Sequence, residues 1–462
     1  MKIFKTILLF ICVVVSAKAQ VANDYMDNYM QEYSQQNYFS GNVLVAYNDE
    51  IIFQESYGKA SHTFDVDNSV DTKFNIASLS KQFTAFLILK LSELGKLNLD
   101  DPITRFLENF PDDKFGRITI HHLLSNTSGI PSYGEIASRL NDYFSQEAYL
   151  ELIKEKELVF EPGEKFLYSS LGYYLLAVIA EKSTRETYHQ LLKTYVFSPA
   201  DMRFSYDLDG ESILTNYATG YVNVPFSDEL KIESYRNYTN ALGAGSIVST
   251  TNDLYNWSKI ILKEKLINRL LWKKMFTPRV AISETEQYGY GWMILQKNYS
   301  EFDSLKIIEH SGTHSGYRSK FRVIPSLKLT IIVLTNFGNV PIDNIVEDLT
   351  EIAISEKPIE APIPTPISLN EAQIKKWQGI YKVDDFEFRL NTNSKTVSLD
   401  IFKNGQHAKG PIEYLYSSAE IAFNRTKPQL TLKLSNEKLE LIDFDITKMV
   451  AVKQLITKNK RH

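Results

Sequence analysis

Ile76-Ala-Ser78-Leu-Ser-Lys81-Gln-Phe83 opens a run in which apolar residues recur at Leu79, Phe83, Phe86, Leu87, Leu91 and Leu94, a helical period that ends at Gly95. On a helix, positions three apart share a face, so the Ser78 hydroxyl and the Lys81 amine can stand side by side. A serine hydroxyl is a weak nucleophile until a base takes its proton. A lysine partly desolvated in a cleft can have its pKa lowered enough to be that base. The exposed N–H groups of the first helical turn favour negative charge developing beside them. Such a pair also occurs by chance on helix surfaces, so its meaning depends on what surrounds it.

Outward from this helix, strands gather at the two ends of a large first region. Gly41 to Tyr47 and Ile51 to Tyr57 read as a hairpin around Asn48-Asp49-Glu50. Lys306 to Glu309, Ser319 to Ile324 and Leu329 to Leu334 read as three more strands, and the stretch from Ser78 to about residue 275 is mostly helical. A sheet built from both chain ends with helices inserted between them is an α+β domain. Pro358, Pro362, Pro364 and Pro366 then mark an extended linker over 357–369. Beyond it, over 370–462, Phe386–Leu390, Val397–Phe402, Leu430–Leu434 and Leu439–Phe444 alternate apolar with polar residues, and Asn404-Gly405 signals a hairpin turn. The tail is a small all-β unit, barrel or sandwich.

The N-terminus addresses the chain for export. Lys2 and Lys5 precede an apolar stretch from Ile7 to Val15, and Ala17-Lys18-Ala19 offers a cleavage site before Gln20. The apolar run is about half the roughly 20 residues that a membrane span needs. Cys12, the only cysteine, falls inside this segment without the small neighbours of a lipid-attachment site, so chain 20–462 has no thiol chemistry. Loss of residues 1–19 removes three lysines and no acid, taking the net charge from −5 to −8. An acidic chain of this kind is a poor partner for nucleic acid. No other run approaches membrane-spanning length. His121-His122 lacks the spacing of a zinc site, and no metal or other cofactor is expected.

Two further segments carry chemistry. Glu161-Pro-Gly-Glu-Lys-Phe-Leu-Tyr168-Ser169-Ser170 places Tyr168 between a turn and an apolar helix, where its phenol can share protons with a nearby lysine. His310-Ser311-Gly312 stands at the end of the strand Lys306 to Glu309, where a glycine lets a substrate approach the backbone closely.

In this order the pieces resemble the serine β-lactamase and penicillin-binding-protein superfamily, in its class C branch with D-alanyl-D-alanine carboxypeptidases, D-aminopeptidases and related esterases. Ser78-x-x-Lys81 matches the first motif. Tyr168-Ser169-Ser170 matches the second, with serine where asparagine is usual, and His310-Ser311-Gly312 the third, with histidine for lysine. Ile118-Thr-Ile-His-His-Leu-Leu-Ser-Asn-Thr-Ser-Gly-Ile-Pro131, Gly243-Ala-Gly-Ser-Ile-Val-Ser-Thr250 and Tyr288-Gly-Tyr-Gly-Trp292 resemble flanking segments of the same branch, so the resemblance covers about residues 25–350. It implies a β-lactamase/transpeptidase-like antiparallel sheet with an inserted helical region over 20–356. It also implies that Ser78 is the nucleophile, that Lys81 and Tyr168 relay its proton, and that the backbone N–H groups of Ser78 and Thr313 hold the oxyanion. Ser170, His310, Ser311, Gly312 and Thr313 would contact a small-molecule or peptide substrate. A charged His310 would serve anionic substrates at mildly acidic pH and lose that role as pH rises. The serine at 170 and the histidine at 310 fit a peptidase, amidase or esterase better than a potent β-lactamase. A true β-lactamase and a non-catalytic binding module are the two alternatives.

Overall fold

Val43, Leu44 and Val45 are all buried, and so are Ile331, Ile332, Val333 and Leu334. Successive strand side chains point to opposite faces, so consecutive burial means that both faces are covered. The computed structural model describes residues 20–132, 141–209, 212–223, 229–234, 236–424, 430–442 and 449–454 and shows what covers them; the expected export segment 1–19 lies outside the described residues.

Helix α1 (20–35) precedes the hairpin of β1 (Gly41–Tyr47) and β2 (Glu50–Tyr57). A short strand β3 (Phe74–Asn75) leads through a 3-10 turn into α2 (Ser80–Glu93). Helices α3 (Ser170–Thr184) and α4 (Tyr188–Leu192) are followed by β4 (Tyr206–Asp207), β5 (Ile247–Ser249) and α5 (Thr251–Leu262). The chain then returns to the sheet as β6 (Val280–Ala281), β7 (Glu286–Tyr288), β8 (Met293–Tyr299), β9 (Phe302–His314), β10 (Tyr317–Ile324) and β11 (Leu329–Thr335), before α6 (Ile342–Ser355). The main sheet has the order β6-β7-β8-β9-β10-β11-β1-β2, with every neighbouring pair antiparallel; β3, β5 and β4 form a small separate sheet.

Leu44, Ile308, Phe321, Ile332 and Leu334 point from one face into the core shared with α2 and α3. Val43, Val45, Ile307, Ile331 and Val333 point the other way, onto Met26 and Tyr29 of α1 and Ile345 and Leu349 of α6. On β9, therefore, His310, Gly312 and His314 share the α2 face with Ile308, while Glu309, Ser311 and Thr313 share the α6 face.

Strands β6, β7 and β8 went unread, and three further elements differ from the sequence reading. Helix α1 went unread, although Met26, Tyr29, Met30 and Tyr33 form its buried stripe. Helix α2 is not amphipathic: Ser80 to Leu89 are buried all round, and the Trp257 indole donates to Gln82 Oε1 at 2.8 Å. Strand β9 does not stop at Glu309. Its register with β10 continues to His314↔Tyr317, whereas its pairing with β8 ends at Met293↔Glu309. Residues 310–314 thus form a sheet edge, and their polar composition hid a strand that apolar alternation alone would not reveal.

The tail is a closed antiparallel barrel of eight strands between Gly379 and Lys453, sealed by Tyr381↔Lys453. Its interior is filled by Tyr381, Phe388, Leu390, Val397, Leu399 and others, with Trp377 buried against them. Asn404 and Gly405 both have positive φ, 52° and 78°, the signature of a type I′ hairpin turn. The Pro-rich segment forms neither helix nor strand and is docked at both ends. Ile359, Ala361 and Ile363 pack against the core beneath α1 and α6, while the Ile367 N–H donates to Tyr416 O at 2.7 Å in the barrel.

The α6 face of β9 and β10 carries buried charge. Glu309 lies 2.6 Å from both Lys320 and Arg322, and Arg322 reaches Glu347 of α6 at 2.9 Å. Burial alone would raise the Glu309 pKa, but the Arg322 and Lys320 charges outweigh it and hold the carboxyl down to about 2. A pKa lowered on folding adds stability that is complete above the ordinary carboxylate range and is lost as pH falls towards 2. Glu309→Gln is expected to cost about 3–5 kcal/mol near neutral pH, by leaving two buried cations short of a partner. It is also expected to flatten the decline in stability below about pH 4.5. Urea denaturation at pH 7 and pH 3 measures both effects.

Candidate active site

Ser78 sits in a single 3-10 turn, Ala77–Leu79, that feeds α2. Ala77 takes a left-handed φ of 47°, a conformation costing an alanine on the order of 1–3 kcal/mol. Its surroundings enforce it. Asn75 Oδ1 accepts the Ala77 N–H at 2.8 Å, and the Ser319 hydroxyl on β10 donates to Ile76 O at 2.7 Å. Ser319 reaches that carbonyl because its strand partner is Gly312, which has no side chain to intervene. A Cβ at Gly312 would lie 2.3 Å from Ile76 O and 2.2 Å from Ser319 Oγ. The glycine therefore brings the β9 edge against the turn that carries Ser78.

Lys81 lies within the packed helix and is fully buried, whereas Ser78 is partly exposed. Its Nζ stands 3.0 Å from Ser78 Oγ, 2.8 Å from Ala244 O and 3.4 Å from Ser170 Oγ. These partners are all uncharged. Burial without a carboxylate brings the amine down to about 7, so a large share of it is unprotonated at neutral pH. The unprotonated amine can accept the Ser78 proton across the 3.0 Å contact.

Ser170 is the first residue of α3, and Ser169 caps that helix, its hydroxyl accepting from the Gly172 N–H at 3.0 Å. The Ser169 N–H donates to Asn126 Oδ1 at 3.0 Å, tying the second motif to the 118–131 segment. Tyr168, just before the cap, places its ring over the Lys81 amine at 4.8 Å from Nζ to centroid. Its ring also meets those of His310 and Tyr288, at 6.0 Å and 6.4 Å. A protonated Lys81 over the Tyr168 face is a cation–π contact, so the two groups sense each other's charge.

His310 corrects the expectation of a charged, solvent-facing imidazole. It is 1% exposed, and burial, reinforced by the Lys81 charge, lowers its pKa to about 3. Nδ1 lies 2.7 Å from Ser311 O, which assigns the proton to Nδ1 and leaves Nε2 to accept from the Tyr288 hydroxyl at 3.3 Å. The ring is a neutral strut behind Tyr168. Ser311 and Thr313 project to the opposite face of β9, where Arg318 Nη1 donates to Thr313 Oγ1 at 2.5 Å and Nε to Gly338 O at 2.7 Å. Ser311, Thr313 and Arg318 line a cavity of about 180 Å3 together with Asn339 and Asp343.

The fold thus brings Ser78, Lys81, Ser170 and Tyr168 together, sets Gly312 against the turn that carries Ser78, and places His310 one layer back. Two participants, Ala244 and Asn126, lay unremarked inside segments already singled out by resemblance. Arg318 had no sequence signal, because only the Thr313↔Arg318 register brings it beside Thr313.

The family described as Beta-lactamase matches residues 22–350. Over 335 residues the chain is 31% identical to Penicillin-binding protein 4* of Bacillus subtilis (strain 168), covering 68% of this chain and 71% of that protein. The structure is similar to that of the octameric penicillin-binding protein homologue from Pyrococcus abyssi, with a TM-score of 0.64 at 23% identity, covering 92% of this chain and 99% of that one. A class C beta-lactamase aligns with a TM-score of 0.62 at 20% identity, over 72% of this chain and 96% of its own. Among the described residues no helix is long and apolar enough to cross a membrane.

Gly312→Ala tests the close approach of β9 to the turn. The added methyl must push the strand from Ile76, so covalent labelling of Ser78 should fall at least about 100-fold, the scale of losing one positioned catalytic group. The circular dichroism spectrum should stay native.

Proposed function

Because this chain belongs to the beta-lactamase family, a serine hydrolase superfamily, we propose that it is an exported hydrolase of small peptides, including ones containing D-amino acids, or of small esters. The observation that carries the reading is the buried Lys81 amine, 3.0 Å from Ser78 Oγ and without a carboxylate among its hydrogen-bond partners. In this reading Lys81 takes the Ser78 proton as Oγ attacks the substrate carbonyl, and the developing oxyanion accepts from the backbone N–H groups of Ser78 and Thr313. Collapse of the tetrahedral species breaks the bond to the leaving group, which receives the proton through Lys81 and Tyr168. A water molecule, deprotonated by the same pair, then releases the acid and restores the Ser78 hydroxyl. Ser170 holds the Lys81 amine in line, and the unpaired β9 edge at 310–313 takes the substrate backbone.

The neutral His310 and the serine at 170 support peptide or ester cleavage over efficient β-lactam turnover. With His310 uncharged, the positive group nearest the Thr313 hydroxyl is Arg318, so substrates with a free carboxylate would be held by Ser311, Thr313 and Arg318. The docked linker and filled barrel are read as a separately folding C-terminal unit.

Three outcomes follow from this reading. Labelling of Ser78 by a fluorophosphonate, followed by intact mass, should rise with a slope near one per pH unit on approach to pH 7 from below, as Lys81 loses its proton. It should vanish in Ser78→Ala and drop on the order of 10²–10⁴-fold in Lys81→Ala; undiminished labelling of Ser78→Ala refutes the mechanism. With paired thioesters whose leaving groups differ only in a free versus methylated carboxylate, the wild type should favour the free acid equally at pH 5.5 and pH 8, because a guanidinium keeps its charge throughout. Arg318→Gln should shrink that preference on the order of 10–100-fold, the worth of a charge-assisted hydrogen bond. Finally, N-terminal sequencing of protein recovered from outside the cytoplasm should begin at or near Gln20, whereas an intact Met1 contradicts export.

A further inference from the structure

Segment 244–247 supports both halves of the catalytic pair. Ala244 O accepts from Lys81 Nζ. The Ile247 N–H donates to Ser80 Oγ at 3.1 Å, Ser80 Oγ donates to Ala77 O at 2.7 Å, and the Ile76 N–H donates to Ile247 O at 2.9 Å. The turn that carries Ser78 is thus hung on Ile247, and the base on Ala244.

Ser246, between them and fully buried, donates its hydroxyl to Asp207 Oδ1 of β4. The Leu208 N–H donates to Ser246 O at 2.9 Å, and Asp207 is the register partner of Ile247. Asp207 is 6% exposed. The groups facing it are Ser246 just before β5, Glu181 from α3, Tyr188 from α4 and, on its own loop, Asp209. Among the described residues none of these is a cation.

We infer that Asp207 is a positioning residue: as a neutral acid bonded to Ser246 it holds segment 244–247 in place, and as a carboxylate it loosens the grip of that segment on Lys81 and the Ser78 turn. The physical reason is the cost of a buried charge with no counter-ion and two acidic neighbours, which the single Ser246 hydrogen bond offsets only in part. Burial raises the carboxyl, the Ser246 bond pulls it down and Glu181 and Asp209 push it up, which together leave it at about 7. A raised carboxyl pKa adds stability that is complete below the ordinary carboxylate range and is lost as pH rises through about 7. Acylation then rises as Lys81 deprotonates and falls as Asp207 ionises, giving a narrow optimum near neutrality whose alkaline limb belongs to a residue that touches no substrate.

The inference rests on the proposed role of Ser78, and one experiment separates the two. Fluorophosphonate labelling rates are measured from pH 5 to pH 10 for the wild type, Asp207→Asn and Ser246→Ala, with Ser78→Ala as the blank. Asp207→Asn should keep the acid limb and lose the alkaline one, labelling at least about 10-fold faster than wild type at pH 9, since each unit above a pKa is a factor of ten. Ser246→Ala removes the bond that lowers the Asp207 pKa, so its alkaline limb should move to higher pH; this readout stands even where Asp207→Asn folds poorly. A wild type that labels undiminished at pH 9, or an alkaline limb unchanged in both variants, overturns the Asp207 assignment and leaves the Ser78 reading intact. Labelling that persists in Ser78→Ala overturns both.

Discussion

Lys81 is a basic side chain placed where an ammonium is poorly tolerated, inside a helix packed on every side. Its nitrogen has a carbonyl, two hydroxyls and the faces of Tyr168 and Tyr173 around it, with no carboxylate bonded to it. Burial therefore acts on it unopposed, and the amine becomes a base near neutral pH instead of a fixed charge. An acidic partner within bonding reach would have kept the proton on Lys81. The arrangement demands a helix that is covered all round, which explains why α2 lies at the centre of the core and not at its surface.

Strand β9 divides its labour by parity. His310, Gly312 and His314 face the helices, where the first is a neutral strut, the second a gap for the turn that carries Ser78, and the third is buried with its Nε2 3.1 Å from Gly245 O. Glu309, Ser311 and Thr313 face α6, where Glu309 pins β9 to β10 through Lys320 and Arg322. The 310–314 end of β9, which must hold its place beside a strained turn, needs such anchoring because it has a neighbouring strand on one side only. The charges that stabilise it are kept on the opposite face from Lys81, whose pKa a nearby carboxylate would raise again.

Much of this was legible in the amino-acid order. The serine–lysine spacing, the Tyr168 junction, the hairpin at residues 41–57, the type I′ turn at Asn404-Gly405 and the change of pattern after the proline-rich stretch are local signals. A side chain and its neighbours within one element are fixed by periodicity and turn chemistry, and those survive in a linear reading.

What only the tertiary structure decided depends on contacts between residues far apart in the chain. Whether α2 is half or wholly buried follows from the helices that surround it, not from its own pattern. The protonation of His310 follows from what encloses it, so a histidine that reads as a solvated switch becomes a neutral strut once Tyr168, Tyr288 and Lys81 close around it. Arg318 reaches Thr313 through strand register, and Ala244 reaches Lys81 across more than 160 positions of chain. Closure of the tail into a barrel likewise required its first and last strands to pair. Desolvation and long-range register are properties of the packed molecule, and no local pattern encodes them.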